Sequence, residues 1–439
     1  MSCTLERDDG YRGIWYYCNG LAGPLKYKYS GGLGTYCAKH IPLAIHAPQV
    51  NRTFFCYGGR PAEANRLLHM VGCFDHGSRQ FSRPRILLDK QTSDGHDNVV
   101  ILLDEAGYVY LFSSSHGVQR PAYISRSTQP YSIDAFERIY DRNYSYPQPW
   151  WVPGRGCLWL HTLYEQGRRL LHWSASPDAR RWDGPHRLAA IENGHYQIST
   201  CGGQTVATAF NAHPTPAGAN YRTNLYYLQT TDFGATWTTI TGRPAALPLT
   251  EFDNPALIQD FRADGLLVYL KDIHFDEAGR PVVLVVTTRS WQPGPENAPR
   301  TWTTVAWNGA AWEVRGRIES DSAYDTGCLH IGPDGTWTII GPTDDGPQPF
   351  NPGGEMVMWK STDRGASWTR ARQITSTSDY NHTYARRPVN AHPDFMALWA
   401  DGHGRRESDS RLYICDATGQ ACRLPTRMTD EWAPADPVG

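Results

Sequence analysis

Short apolar runs of about 4–8 residues, bounded by Gly, Pro, Asn, Asp or Ser, recur along the chain with the two-residue alternation of half-buried strands. The pattern predicts strands at 13–17, from Cys37 to Ile45, and at 52–57, 99–103, 108–113, 157–161, 205–211, 266–270, 336–340 and 395–400. Helical spacing is scarce, and its best stretch, Asp134 to Ile139, is short. Lys26 to Thr35 reads as a glycine-rich loop carrying two cations and two aromatics, without the spacing of a phosphate cradle. From Pro425 the chain is polar and Pro-rich, and this tail is expected to fray or pack loosely.

Two of the alternating runs, Leu225 to Leu228 and Met356 to Trp359, lead into the same turn pattern: hydroxyl, x, Asp, x, Gly, x, hydroxyl, Trp. The copies run from Thr230 to Trp237 and from Ser361 to Trp368; a worn third, Ser176 to Trp182, has lost the glycine. The aspartate accepts from turn amides, the glycine permits positive φ, and the Trp plugs the gap between neighbouring sheets. Asp232 and Asp363 are therefore read as turn braces. A hairpin of this kind cannot bury its own faces, so copies must pack on one another, and radial closure is the usual all-β solution. The fold expected is an all-β, seven-bladed β-propeller at about 60 residues per blade, with six or eight blades left open, one domain over 1–424 followed by a tail at 425–439.

Composition narrows the partners. Sixteen Trp, 24 Tyr, 41 Gly and 31 Pro describe a turn-rich, aromatic-rich β protein, and a net charge of −2 gives no electrostatic case for nucleic acid or an anionic membrane. No apolar run approaches the ~20 residues of a bilayer span. Met1 to Gly10 lacks the basic-then-apolar order of a secretory leader, so the chain is expected in the cytoplasm or exported with its leader removed. Ten cysteines include no C-x-x-C pair. Cys37, Cys56, Cys157 and Cys415 read as buried strand residues, and Cys415 with Cys422 is the disulfide easiest to imagine. No metal-ligand spacing and no cofactor motif stand out; a structural calcium ion is the one metal left room for, and no ligand loop supports it.

Propeller sites lie at a channel end, built from loops and the ends of inner strands. His96 leads into one strand and His116 leaves the next, 20 residues on, so both can reach one rim. Tyr146 precedes Pro147, which bars it from the helical region, and Arg222 stands at another strand start. Singly, each histidine reads as a hydrogen-bonded core residue. Together the four supply what proton abstraction beside a carboxylate needs: a near-neutral base, a phenolic acid and a cation.

Asp9 to Trp15, Tyr29 to His40, Gly95 to Asn98, Ser114 to Gly117 and Asn381 to Pro388 carry a resemblance that spans almost the whole chain. They look like the BNR-repeat, sialidase-like carbohydrate-active propellers, whose Asp-box the repeated turn resembles. Within that group the chain is similar to propeller ulvan lyases and to enzymes acting on rhamnose linked α-1,4 to glucuronate in gum arabic and arabinogalactan. The lyase likeness implies a channel site with His96, His116 and Tyr146, β-elimination from a uronate, and an arginine on its carboxylate. Lyase relatives carry that arginine about one strand after the Tyr-Pro, where this chain reads Leu160 to Tyr164, so Arg222 or Arg386 is expected to replace it. The rhamnose-releasing likeness centres on Ala38-Lys39-His40 and implies a catalytic His40 on the opposite face, with Lys39 beside it. Trp150 completes the expected substrate-binding set.

A sialidase would announce an arginine triad with an Arg-Ile-Pro, and Tyr11 to Ile14 lacks the proline. An ordinary glycosidase pairs two carboxylates, and nothing in the spacing pairs Asp94, Asp97, Glu251 and Asp253. The reading chosen is a lyase acting on a rhamnose–glucuronate linkage of an acidic polysaccharide. The alternatives are α-L-rhamnosidase hydrolysis through His40 and a non-catalytic sugar-binding propeller.

Overall fold

The computed structural model describes residues 2–438 and is an all-β propeller. Seven sheets of four strands or more follow one another in the chain, each a meander whose neighbours pair antiparallel. The first holds Ala44–Ala47, Arg52–Gly59, Leu68–Asp75 and Arg85–Asp89, and the second begins at Val99–Leu103 and ends at Ala135–Asp141. The third runs from Ser145–Val152 to Asp183–Ala189, the fourth from Gln197–Gly202 to Leu257–Gln259, and the fifth from Leu267–Phe275 to Trp312–Ser320. The sixth spans Cys328–Ile331 to Thr369–Gln373; the last starts at Asn381–Arg386 and continues through Ala397–Gly402 and Leu412–Cys415.

Apolar side chains between consecutive sheets hold the ring. Leu171, Leu188 and Trp173 of the third sheet meet Phe210, Tyr226 and Leu228 of the fourth. Closure brings the last sheet onto the first, where Phe395, Leu398 and Leu412 pack with Phe55, Tyr57 and Phe74, and Ile45 bridges Val389 in parallel.

The repeated turns brace as the sequence implies. Asp232 accepts from the Thr236 amide at 2.9 Å and Thr236 Oγ1 at 2.7 Å, and Asp363 does the same with Ser367 at 2.9 and 2.6 Å. Gly234 takes φ +92°, and a Cβ there would sit 2.5 Å from the Trp173 ring. In the worn copy Asp178 still accepts from the Arg180 and Arg181 amides, with Ala179 at φ +54°.

Several expectations are corrected. Asp134 to Ile139 is not helical: Ala135–Asp141 is an outer strand paired with Tyr123–Ser127, Phe136 opposite Ser127 and Ile139 at a bulge, so the helix-like spacing of the two comes from the bulge. Cys37 to Leu43 is a buried turn, with only Ala44–Ala47 extended. The glycine-rich segment forms a hairpin, Trp15–Gly20 with Tyr27–Gly32, over one end of the ring. All ten cysteines are free; Cys415 opposes Ala421 while Cys422 opposes Ile414, which puts the two thiols on opposite faces of the sheet. The tail is paired: Trp432–Pro434 extends Gln80–Ser82 of the first sheet, Asp436–Pro437 adds to the last, and Glu431 joins the buried Arg85. No helix among the described residues is long and apolar enough to cross a membrane.

Candidate active site

Asp94 to Asn98 form a tight turn immediately before the second sheet. Asp94 caps it, accepting from the His96 amide at 3.0 Å. The hairpin that follows pairs Val99 with Ser113 and returns the chain to the same rim, where Asp97 accepts from the His116 amide at 2.6 Å and is held by Arg120 at 2.5 Å. The two imidazoles stack, with centroids 4.1 Å apart and planes at 19°. Asp94 then bridges them, one oxygen 2.7 Å from His96 Nδ1 and the other 2.8 Å from His116 Nδ1.

A carboxylate only accepts, so both Nδ1 atoms carry a proton, and in a neutral imidazole held this way Nε2 is the lone pair. His96 Nε2 faces two phenols, Tyr29 at 2.7 Å and Tyr36 at 2.6 Å. His116 Nε2 meets no protein hydrogen-bond partner among the described residues, and its side chain keeps 27% of its exposure. Burial drives His96 down to about 4 in spite of Asp94. Burial also pushes the Asp94 carboxyl up, but the two imidazoles override it and hold the group far below the usual carboxylate range.

Tyr146 completes the group the sequence proposed. It sits in a bulge of Ser145–Val152 at φ +51°, the left-handed region that a bulky residue adopts rarely, rather than in the extended conformation that Pro147 favours for its predecessor. Its ring centroid is 6.4 Å from His96 and 6.2 Å from His116. Its hydroxyl is buried without a partner among the described residues, and burial raises its pKa well above the ordinary phenol.

The remaining candidates are placed differently. Arg222 is sandwiched between the Tyr196 and Tyr269 rings, 4.5 Å from each centroid, and borders the channel cavity. Arg386 donates to the Cys37 and His40 carbonyls at 2.5 and 2.9 Å, which commits it to the backbone of that turn. Lys39 is buried with its ammonium on the Leu270 carbonyl at 2.8 Å, and burial next to Arg222 depresses its pKa well below the usual lysine value. His40 lies on no open face: it is fully buried behind Tyr146, rings 5.5 Å apart, with Nδ1 3.2 Å from Cys37 Sγ and Nε2 3.1 Å from Ser114 Oγ. Trp150 lies further along the strand from Tyr146 and donates to Ser199 Oγ at 2.8 Å, lining a different cleft with Thr200 and Val389.

Sequence reading missed a cation and a ring of phenols. Arg169 stands on the strand after Tyr164, directly across from it in register, and its Nε donates to Tyr164 Oη at 3.1 Å. The guanidinium also lies 5.8 Å from the Tyr196 centroid, and the field of Tyr196, Tyr164 and Tyr146 raises its pKa further. Tyr164 in turn meets His116 edge-on at 5.9 Å. So the cation absent from Leu160 to Tyr164 is present one strand over. Tyr36, Tyr146, Tyr196, Tyr324 and Tyr384 wall a small cavity of about 30 Å³ at the channel end. A tyrosine stands at or just before most innermost strands, a recurrence visible in the sequence once the strands are aligned.

Residues 69–318, more than half of the chain, match the model of a BNR repeat-containing family. The chain belongs to that family. No curated protein sequence matches this BNR-repeat protein. Its fold is shared with a structure described as a PL25 ulvan lyase, a polysaccharide lyase, at a TM-score of 0.72 and 16% identity over 93% of this chain and 95% of that one. A PL25 ulvan lyase bound to -[GlcA(1-4)Rha3S]- gives 0.72 at 15% identity over 95% and 96%. The polysaccharide lyase Uly1 gives 0.64 at 11% over 94% and 100%. At such identities the likeness establishes the propeller.

Proposed function

We propose that this BNR-repeat propeller, its seven larger sheets each counted as one blade, is a polysaccharide lyase. It opens the α-1,4 linkage between L-rhamnose and D-glucuronate by β-elimination. The observation that carries the reading is the Asp94 bridge: one carboxylate fixes both imidazoles by Nδ1 and leaves His116 Nε2 bare beside an unpartnered Tyr146 hydroxyl.

In that mechanism the uronate carboxylate pairs with Arg169. Drawing charge off the carboxylate acidifies the C5 hydrogen, which His116 Nε2 removes. The electron pair of the C5–H bond becomes the C4=C5 double bond as the C4–O4 bond breaks. Tyr146 protonates the departing O4 of the glycosidic linkage, and no water is consumed. The products are a 4,5-unsaturated uronate and a sugar with a free reducing end. His96 keeps its neighbour in place through Asp94. Arg222, which like Arg169 lies against the Tyr196 ring, adds positive field for an acidic substrate.

The mouth is suited to sugar rings. Tyr17 is 48% exposed and stacks on Tyr16, whose ring lies 5.6 Å from His96. Aromatic faces of this kind hold pyranose rings by their apolar side. The structural neighbour bound to -[GlcA(1-4)Rha3S]- supports an acidic rhamnose- and glucuronate-containing polymer as substrate. Rhamnosidase hydrolysis through His40 is disfavoured by that residue's complete burial.

Incubation with a rhamnosyl-glucuronate polysaccharide tests the proposal. Elimination produces the ultraviolet band of an unsaturated uronate; free rhamnose without that band means hydrolysis, and binding without either means a lectin. The last two outcomes each overturn the reading.

A further inference from the structure

A second histidine cluster lies outside the channel site. His46 belongs to Ala44–Ala47 and His76 directly follows Leu68–Asp75, both in the first sheet; His392 and Asp394 come from the loop between the first two strands of the last sheet. The rings of His76 and His392 are 3.9 Å apart, and His46 lies 5.1 Å from each. Asp394 Oδ2 is 3.7 Å from His76 Nδ1 and 3.6 Å from His392 Nδ1. Two buried ring nitrogens, His76 Nδ1 and His46 Nε2, have no hydrogen-bond partner among the described residues.

We propose that His46, His76, His392 and Asp394 form a structural zinc site that staples the first sheet of the ring to the last. Nitrogen and oxygen ligands sit about 2.0–2.2 Å from Zn²⁺, so two ligand atoms on one tetrahedral ion lie about 3.3 Å apart. The observed 3.6 and 3.7 Å leave that room and need only slight closure. They are too long for hydrogen bonds between the carboxylate and the rings; His392 Nδ1 accepts from the Asp394 amide at 3.2 Å, a bond that metal binding there would replace. The supporting contacts have the form metal sites use: Thr53 Oγ1 lies 2.8 Å from His76 Nε2 and, accepting a hydrogen bond from it, would leave Nδ1 as the ligand. Arg79 holds the other Asp394 oxygen at 2.9 Å. Imidazole-rich, four-ligand sets without a dedicated water position favour zinc over calcium or magnesium.

The channel triad Asp94, His96 and His116 also brings three ligand atoms together, yet it differs in the decisive respect. There the carboxylate oxygens already make 2.7 and 2.8 Å hydrogen bonds to the ring nitrogens, which fill the space an ion would take.

The test uses the full chain, stripped with a chelator, dialysed and titrated with zinc chloride while bound metal is measured. One Zn²⁺ per chain is expected, with His392→Ala and Asp394→Asn weakening binding at least tenfold and Thr53→Val about 10–100-fold. His116→Ala and Asp94→Asn should still bind one. Zinc should raise the melting temperature of the native chain and not that of His392→Ala. Substitution of Co²⁺ into the native chain, independent of whether any variant folds, should give the intense visible bands of a tetrahedral site. No binding by the native chain, undiminished binding by His392→Ala, loss of binding in His116→Ala, or a weak octahedral cobalt spectrum would each overturn the assignment.

Discussion

Two clusters of histidine and aspartate stand at separate places on this propeller, and the distances between their atoms set them apart. In the channel, Asp94 reaches both imidazoles at hydrogen-bonding distance and is consumed by holding them; what remains is a bare Nε2 next to a phenol. Between the first and last sheets, Asp394 stands 3.6 and 3.7 Å from two ring nitrogens, one of them without any other partner. As proposed, the same residue types serve proton transfer where the carboxylate closes on the rings and cation binding where it does not. The chain segments explain the difference. The channel group is set by one turn and one hairpin, whereas the outer group needs the ring to close before its members meet.

The comparison breaks most visibly if His116 is not the base. His116→Ala is expected to lower kcat by about 10²–10⁴, and Tyr146→Phe by a similar factor, with melting temperatures close to the native value. His392→Ala, by contrast, should leave turnover under saturating substrate within about twofold, since its ring belongs to the other cluster. Initial rates of unsaturated-uronate formation measure all three. A His392→Ala rate as low as that of His116→Ala would mean the two clusters are not separate devices.

Arg169 sharpens the channel side. Removing one preorganised charge partner from developing negative charge costs about 10²–10³ in rate, so Arg169→Ala should lose that much in kcat/KM. Arg222→Ala should lose less, because its guanidinium is packed between two rings and its Nε is spent on the Ala219 carbonyl. A substrate reduced at the uronate carboxyl should erase the difference between native enzyme and Arg169→Ala. The reverse ranking of the two arginines would return the carboxylate to Arg222.

How much of this the chain declared in advance follows from how local each feature is. Val99–Leu103 was legible to the residue because it is buried on both faces and bounded by Asn98 and Asp104. His96 and His116 were legible because a single hairpin joins them. The repeated Asp-x-Gly turn announced its own geometry. Arg169 was missed because its placement depends on register across the Gln166-Gly167 turn, not on spacing along a strand. His40 was misplaced because the segment from Cys37 to Leu43 is a turn that buries its polar and apolar positions alike, so it presents no open face. The outer cluster spans His46 to Asp394 and has no local pattern at all. Tail pairing was hidden too, since the partners of Trp432 lie some 350 residues earlier.

Acid should act on the channel cluster through His96 before it acts through Asp94. Burial lowers the His96 pKa from 6.5 to about 4, so the unfolded chain binds a proton there at pH values where the native chain does not. The stability this neutral imidazole permits is fully present above about pH 6.5 and is lost progressively as pH falls toward 4. The loss amounts to about 3 kcal/mol, each tenfold change in proton affinity being worth about 1.4 kcal/mol. Asp94, held far below the usual carboxylate range, works in the same direction but only below about pH 4, where an unfolded aspartate begins to take up its proton. Other buried histidines, His195 and His382 at about 4 among them, add to the same window. Denaturant midpoints of native and His96→Gln protein between pH 7 and 4.5 measure the difference. The variant should be less stable at pH 7 and close on the native protein as the solution is acidified. Parallel curves would mean that His96 is already protonated at neutral pH, and the imidazole pair could not then offer a neutral base by the geometry described.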